Sequence, residues 1–115
     1  MVSKKQHVAG QLARQFHKVT LAHHQADEAW DEYAMAAHQG RMDAIREEVS
    51  WHRASCGAGA LMQLGAAATI VALAEDRLNP HEAMALHRLL ASLAGFVEEN
   101  SNARRSDFQR AYLGI

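Results

Sequence analysis

The chain is 115 residues long, which is enough for one domain with a modest core. Its 12 Lys and Arg residues and 13 Asp and Glu residues give a net charge of −1 at pH 7, so bulk charge points to neither nucleic acid nor membrane. Hydrophobic residues make up 49% of the chain, which excludes a disordered protein, and its single cysteine excludes both an internal disulfide framework and a cysteine-rich zinc site.

The first predicted helix covers residues 4–38. Apolar residues recur at every third or fourth position through this stretch, which places them on one helical face. Gly40 suits a left-handed C-cap and predicts the end of the helix. A break near residues 24–27 is the alternative, because Asp27 could serve as a new N-cap.

A second helix is predicted over residues 41–76. Gly57, Gly59 and Gly65 each cost about 1 kcal/mol in a helix interior, so we expect close contact with a neighbouring helix to offset them. A kink or short loop at 55–59 is the alternative. Residues 54–74 carry no charge, but their many small and polar side chains favour a helix buried among neighbours over a membrane span.

The third predicted helix, over residues 80–100, has the sharpest local signal. Asn79 is a preferred N-cap, Pro80 suits the first helical position, and Glu82 stands where a capping box needs it. A short last helix is predicted over residues 102–113. No strand-like alternation occurs, so we expect a single all-α domain over residues 1–115.

These elements predict an elongated helical hairpin or bundle of about four helices, with its first turn around Gly40. A 35-residue helix would be roughly 50 Å long, which exceeds a compact globule of this size. Part of its apolar stripe would then lack cover, as at protein interfaces. The candidate interface residues are Phe16, Trp30, Tyr33, Trp51, Leu90 and Phe96.

Cations are concentrated toward the two ends of the chain, and the first 26 residues contain no acid. Such a helix end could contact a phosphate backbone or an acidic protein, although a solvated helix face is the commoner reason for such a pattern. The candidate contact residues are Lys4, Lys5, Arg14, Lys18, Arg104, Arg105 and Arg110.

Eight histidines raise the question of a metal. A hairpin turn at Gly40 would place His24 and Glu28 on one helix opposite Glu48 and His52 on the next, and these side chains are common zinc and iron ligands. The Glu-x-x-His motif of di-iron bundles is absent, however, and histidines on apolar stripes are usually hydrogen-bonded packing residues. The sequence therefore predicts neither a bound metal nor any other cofactor.

The absence of a catalytic motif favours a non-enzymatic interaction protein. Since no secretory signal is recognised, we expect the protein to be cytoplasmic. We expect it to self-associate or to be a small subunit of a larger assembly, in which nucleic acid is one candidate component. The alternatives are an inhibitor or adaptor that binds one host protein, and a helical metal-binding protein. In size and helical layout alone, the chain resembles helical small subunits of CRISPR effector complexes and small phage- or plasmid-encoded inhibitors.

Overall fold

The computed structural model describes residues 7–74 and 76–105. These residues form helices and connections and contain no strand, which confirms the all-α class. The four helices are α1 (Val8–Glu28), α2 (Glu32–Val49), α3 (Gly57–Leu73) and α4 (Pro80–Glu99).

The first hairpin turn lies at residues 29–31, so its predicted position at Gly40 was wrong. Trp30 adopts a left-handed backbone with a φ of 57°, which reverses the chain after α1. The Asp31 side chain then accepts a hydrogen bond from the backbone N–H of Ala34 at 3.0 Å and begins α2. Gly40 lies inside α2 instead, because the helical pattern continues across it without interruption.

The predicted helix over residues 41–76 is divided by a connection at residues 50–56. Cys56 has an extended backbone, and its Sγ accepts a hydrogen bond from the N–H of Gly59 at 3.4 Å, so it is the N-cap of α3. The loop considered at 55–59 thus overlaps the real connection, which begins earlier.

The start of α4 is as predicted. Asn79 Oδ1 accepts a hydrogen bond from Glu82 N at 2.8 Å, and Glu82 Oε1 accepts one from Asn79 N at 3.1 Å, which completes the capping box. The helix ends at Glu99. Residues 102–104 are not helical, and most of the last predicted helix lies outside the described residues.

The helices meet in a small core. Helix α1 packs against α2 and α3, and α4 packs against α3. The cluster at their centre consists of Ala9, Leu12, Val49, Met62, Ala66, Ala67 and Leu89. A Cβ atom placed on Gly59 would lie 2.9 Å from the Cβ of Ala9, so the expected close helix contact exists at this glycine, whereas Gly57 and Gly65 have no such neighbour.

A fully buried glutamine ties α3 to the end of α2. Gln63 Nε2 donates hydrogen bonds to the backbone oxygens of Val49, at 3.1 Å, and His52. Carbonyl groups at a helix C-terminus lack partners within their own helix. Gln63 therefore caps α2 from a different helix and fixes the position of the 50–56 connection.

The molecule is flat, with extents of 51 × 43 × 18 Å and a radius of gyration of 16.0 Å. A compact chain of similar length would have a radius of gyration of about 13 Å. The shortest extent corresponds to about two layers of helices. In the part of the chain that the structure describes, no helix is both long and apolar enough to cross a membrane.

Candidate functional site

Helix α3 exposes an apolar face although it also forms much of the core. Its 17 residues include no charged side chain, and one side is buried against the other helices. On the opposite side, Leu61, Leu64 and Val71 are 69%, 54% and 59% exposed. With the exposed Ala68 they follow a spacing of three, four and three residues, which aligns them along one face. We call Leu61, Leu64, Ala68 and Val71 the α3 stripe.

The stripe is bordered by small residues rather than by charges. Gly65 and Ala72 are exposed beside it, and the nearest charged residues along the chain are Arg53 and Glu75. A helix that is apolar on all sides is normally covered on all sides, and contiguous exposed apolar patches on soluble proteins mark interaction sites. The α3 stripe is therefore the strongest candidate for an interaction site.

A groove of about 420 Å³ runs beside the stripe, between α1 and α3. Phe16 and Leu61 are among its lining residues. The Arg46 guanidinium lies 5.0 Å from the centroid of the Phe16 ring, which is cation–π geometry. Phe16, a predicted interface residue, thus packs between helices and borders the exposed site.

The other predicted interface residues do not form one surface. Trp30 and Tyr33 are almost fully exposed at the turn between α1 and α2, and Trp51 is exposed in the 50–56 connection. Leu90 is exposed on α4, where Phe96 is partly buried. Leu61, Leu64 and Val71 were not predicted as a site, because the sequence shows that their segment is uncharged but not which side of it stays exposed.

The predicted cationic residues fall into two groups. Arg14 and Lys18 are exposed four residues apart on α1, whereas Lys4, Lys5 and Arg110 lie outside the described residues. Arg104 and Arg105 follow α4 and bind Glu98, to whose carboxylate Arg105 contributes a 2.9 Å ion pair and a backbone hydrogen bond of 2.8 Å. That backbone hydrogen bond is the main reason why the pKa of Glu98 is lowered.

The four candidate metal ligands form two separate pairs. His24 Nε2 lies 3.1 Å from Glu28 Oε1, and His52 Nε2 lies 2.9 Å from Glu48 Oε1. Because the turn is at 29–31, the 18 residues of α2 separate the pairs by about 27 Å. Their predicted juxtaposition depended on a turn at Gly40 and does not occur. Within residues 7–74 and 76–105, no three His, Cys, Asp or Glu side chains are grouped to hold a metal ion.

Comparison with known proteins gives no match to a family model, to a curated protein or to a solved structure.

Proposed function

We propose that this chain is a non-enzymatic assembly protein that self-associates through the α3 stripe. The observation that supports the proposal is an exposed, uncharged apolar stripe on a helix whose other side forms the core. Removal of this stripe from water is favourable, at about 25 cal/mol per Å² of apolar surface. No charge lies within the stripe, so its burial carries no cost of desolvating an ion.

A second copy of the chain is the partner that fits the stripe best. If two α3 helices cross in antiparallel orientation about their midpoint, Leu61 of one copy faces Val71 of the other, and Leu64 faces Ala68. Each larger side chain then meets a smaller one, as close packing requires. A parallel arrangement would instead oppose leucine to leucine and leave a gap at Ala68. The pattern therefore favours a two-fold symmetric contact between identical surfaces.

The expected dimer is a weak one. The stripe and its bordering small residues expose on the order of 500 Å² per copy, so a dimer would bury about 1,000 Å² in total. This area is at the lower limit for a specific interface. We therefore expect a dissociation constant in the micromolar range, which corresponds to a binding free energy of about −8 kcal/mol. Such a dimer dissociates on dilution.

The test is sedimentation velocity over about two decades of concentration around 10 μM. The wild-type chain should shift from monomer to dimer as concentration rises. Leu64→Glu should remain monomeric, because it places a charge at the centre of the contact. Leu21→Glu is the matched control: Leu21 is 50% exposed on α1, outside the stripe, so this variant should dimerise like the wild type.

Two results would overturn the proposal. One is a folded wild-type chain that stays monomeric throughout the range, which would favour the alternative of an adaptor that binds a different protein. The other is loss of the dimer in Leu21→Glu together with its retention in Leu64→Glu. Circular dichroism of each variant establishes that the helices are intact.

A further inference from the structure

A second surface feature lies between the 50–56 connection and α4. It is a cleft of about 550 Å³, within the range typical of small-molecule sites. Three arginines from separate parts of the chain line it: Arg53 from the connection, Arg88 from α4 and Arg105 from the segment after α4. Among the described residues, its lining also includes Ser50, Trp51, His52, Ala91, Ser92 and Gly95, and it contains no carboxylate. We call this feature the arginine cleft.

Arg88 is held rigidly at the cleft wall. Its guanidinium carbon lies 3.5 Å from the centroid of the Trp51 ring, and its Nη2 donates a hydrogen bond to Ser50 Oγ at 2.8 Å. Glu47 Oε1 lies 3.5 Å from the same Nη2. Its Nε is buried without a hydrogen-bond partner in the described part of the chain. A guanidinium has five N–H donors, so the protein satisfies only part of the hydrogen-bonding capacity of Arg88.

The other two arginines are anchored from outside the cleft. Arg53 pairs with Glu99, and Arg105 pairs with Glu98. These glutamates orient the guanidinium groups but do not line the cleft, so further N–H donors remain for a ligand. The side chain of Arg53 is mostly exposed, which makes it accessible to a ligand from solvent.

Two further lining residues of the cleft, Ser92 and Gly95, also suit an oxyanion. Ser92 Oγ accepts a hydrogen bond from the backbone N–H of Ala54 at 2.9 Å, and a hydroxyl that accepts one hydrogen bond can donate another to a ligand oxygen. Within residues 7–74 and 76–105, no neighbouring atom lies within 4 Å of the position of a Cβ on Gly95, so a ligand can approach the backbone of α4 there. Arginine is favoured over lysine wherever tetrahedral oxyanions are bound through paired N–H donors.

We propose that the arginine cleft binds a phosphate group, carried either by inorganic phosphate or by a phosphate monoester. In this site Arg53 and Arg105 supply charge and hydrogen-bond donors, Arg88 supplies charge, and Ser92 supplies a hydroxyl donor. The site is independent of the α3 stripe, because none of the stripe residues lines the cleft.

The experiment follows the fluorescence of Trp51, which lines the cleft, in a Trp30→Asn background that removes the only other tryptophan. Asparagine tolerates the left-handed backbone of residue 30. The protein is titrated at constant ionic strength with inorganic phosphate in one arm and with adenosine 5′-monophosphate in the other. Equal affinities would assign the site to free phosphate, and tighter binding of the nucleotide would assign it to a monoester.

Three variants decide whether the cleft is responsible. Arg53→Gln and Arg105→Gln should each weaken binding at least about fivefold, since each removes charge-assisted hydrogen bonds. Arg41→Gln removes the same charge from an exposed site on α2 and should change the affinity by less than about twofold. Absence of saturable binding to the parent protein, or equal weakening in Arg41→Gln and Arg53→Gln, would overturn the proposal. Thermal unfolding of each variant establishes that it is folded.

Discussion

Replacement of Gly40 by alanine tests the position of the first hairpin turn. Gly40 lies inside α2, and no atom other than its own helix and chain neighbours lies within 4 Å of the position of a new Cβ. Alanine is favoured over glycine in a helix interior by about 1 kcal/mol, so Gly40→Ala should stabilise the protein by about that amount. If Gly40 were instead a left-handed cap, the same change would cost about 1 kcal/mol or more. The sign of the effect therefore distinguishes the two folds.

Thermal unfolding followed by circular dichroism measures this effect. A gain of 1 kcal/mol should raise the Tm of a domain of this size by about 4–8 °C. A decrease in Tm on Gly40→Ala would refute the assignment of this residue to the interior of α2.

Gly59→Ala is the matched comparison, because it adds the same methyl group to a helical glycine at a crowded site. Its new Cβ would lie 2.9 Å from the Cβ of Ala9 and 3.1 Å from the backbone nitrogen of Gly10. These atoms belong to a packed helix, and overpacking of this kind costs about 1–3 kcal/mol. We therefore expect Gly59→Ala to lower the Tm. An increase similar to that of Gly40→Ala would contradict the close approach of α1 and α3.

Three further predictions concern hydrogen bonds. Gln63→Leu removes the side-chain donor to the carbonyls of Val49, at the end of α2, and His52, in the 50–56 connection, and should lower the free energy of unfolding in urea by about 2 kcal/mol. Asn79→Ala removes the capping box and should cost about 1 kcal/mol, whereas Asn79→Asp should retain most of that stability. The pKa of Glu98 is lowered, mainly by the backbone hydrogen bond from Arg105, so the stability that this carboxylate contributes is present above its unfolded pKa and is lost as pH falls through the folded pKa. An NMR titration of Glu98 should accordingly show a midpoint below 4.5, and a midpoint at or above that value would contradict the contact.

The elements that the sequence predicted well are those set by local interactions. The start of α4 depends on Asn79, Pro80 and Glu82, which lie within four residues of one another and form their contacts without help from the rest of the fold. The all-α class likewise follows from periodicity within each segment. Such signals do not depend on how the helices are arranged in space.

The first turn was misplaced because its determinant is unusual. A tryptophan in a left-handed backbone costs on the order of 1–2 kcal/mol, so glycine is the residue normally expected there. Gly40 is a residue type that commonly ends a helix, so it predicted the turn. Trp30 gave no such indication. The Asp31-Glu32 pair, an N-cap residue followed by an acid in the first turn, was the available evidence for a helix start at this point.

The candidate sites were harder to predict because they depend on tertiary structure. The arginine cleft joins Arg53, Arg88 and Arg105, which no spacing rule relates to one another. The α3 stripe could be recognised as apolar from its sequence, but only the packing of α3 shows which side is covered. The predicted metal ligands failed to meet for the same reason, since their meeting required a particular turn.

The thinness of the molecule has a consequence for how such a protein can evolve new contacts. Because the helices form only two layers, every helix has at least one side that faces water. A substitution on that side can alter binding without disturbing the side chains that hold the two layers together. We therefore expect stability and binding to respond to different sets of substitutions along the same helix. In α3, larger side chains at Ala66 or Ala67 should destabilise the chain, while changes at Leu64 or Ala68 should leave it folded and alter only what it binds.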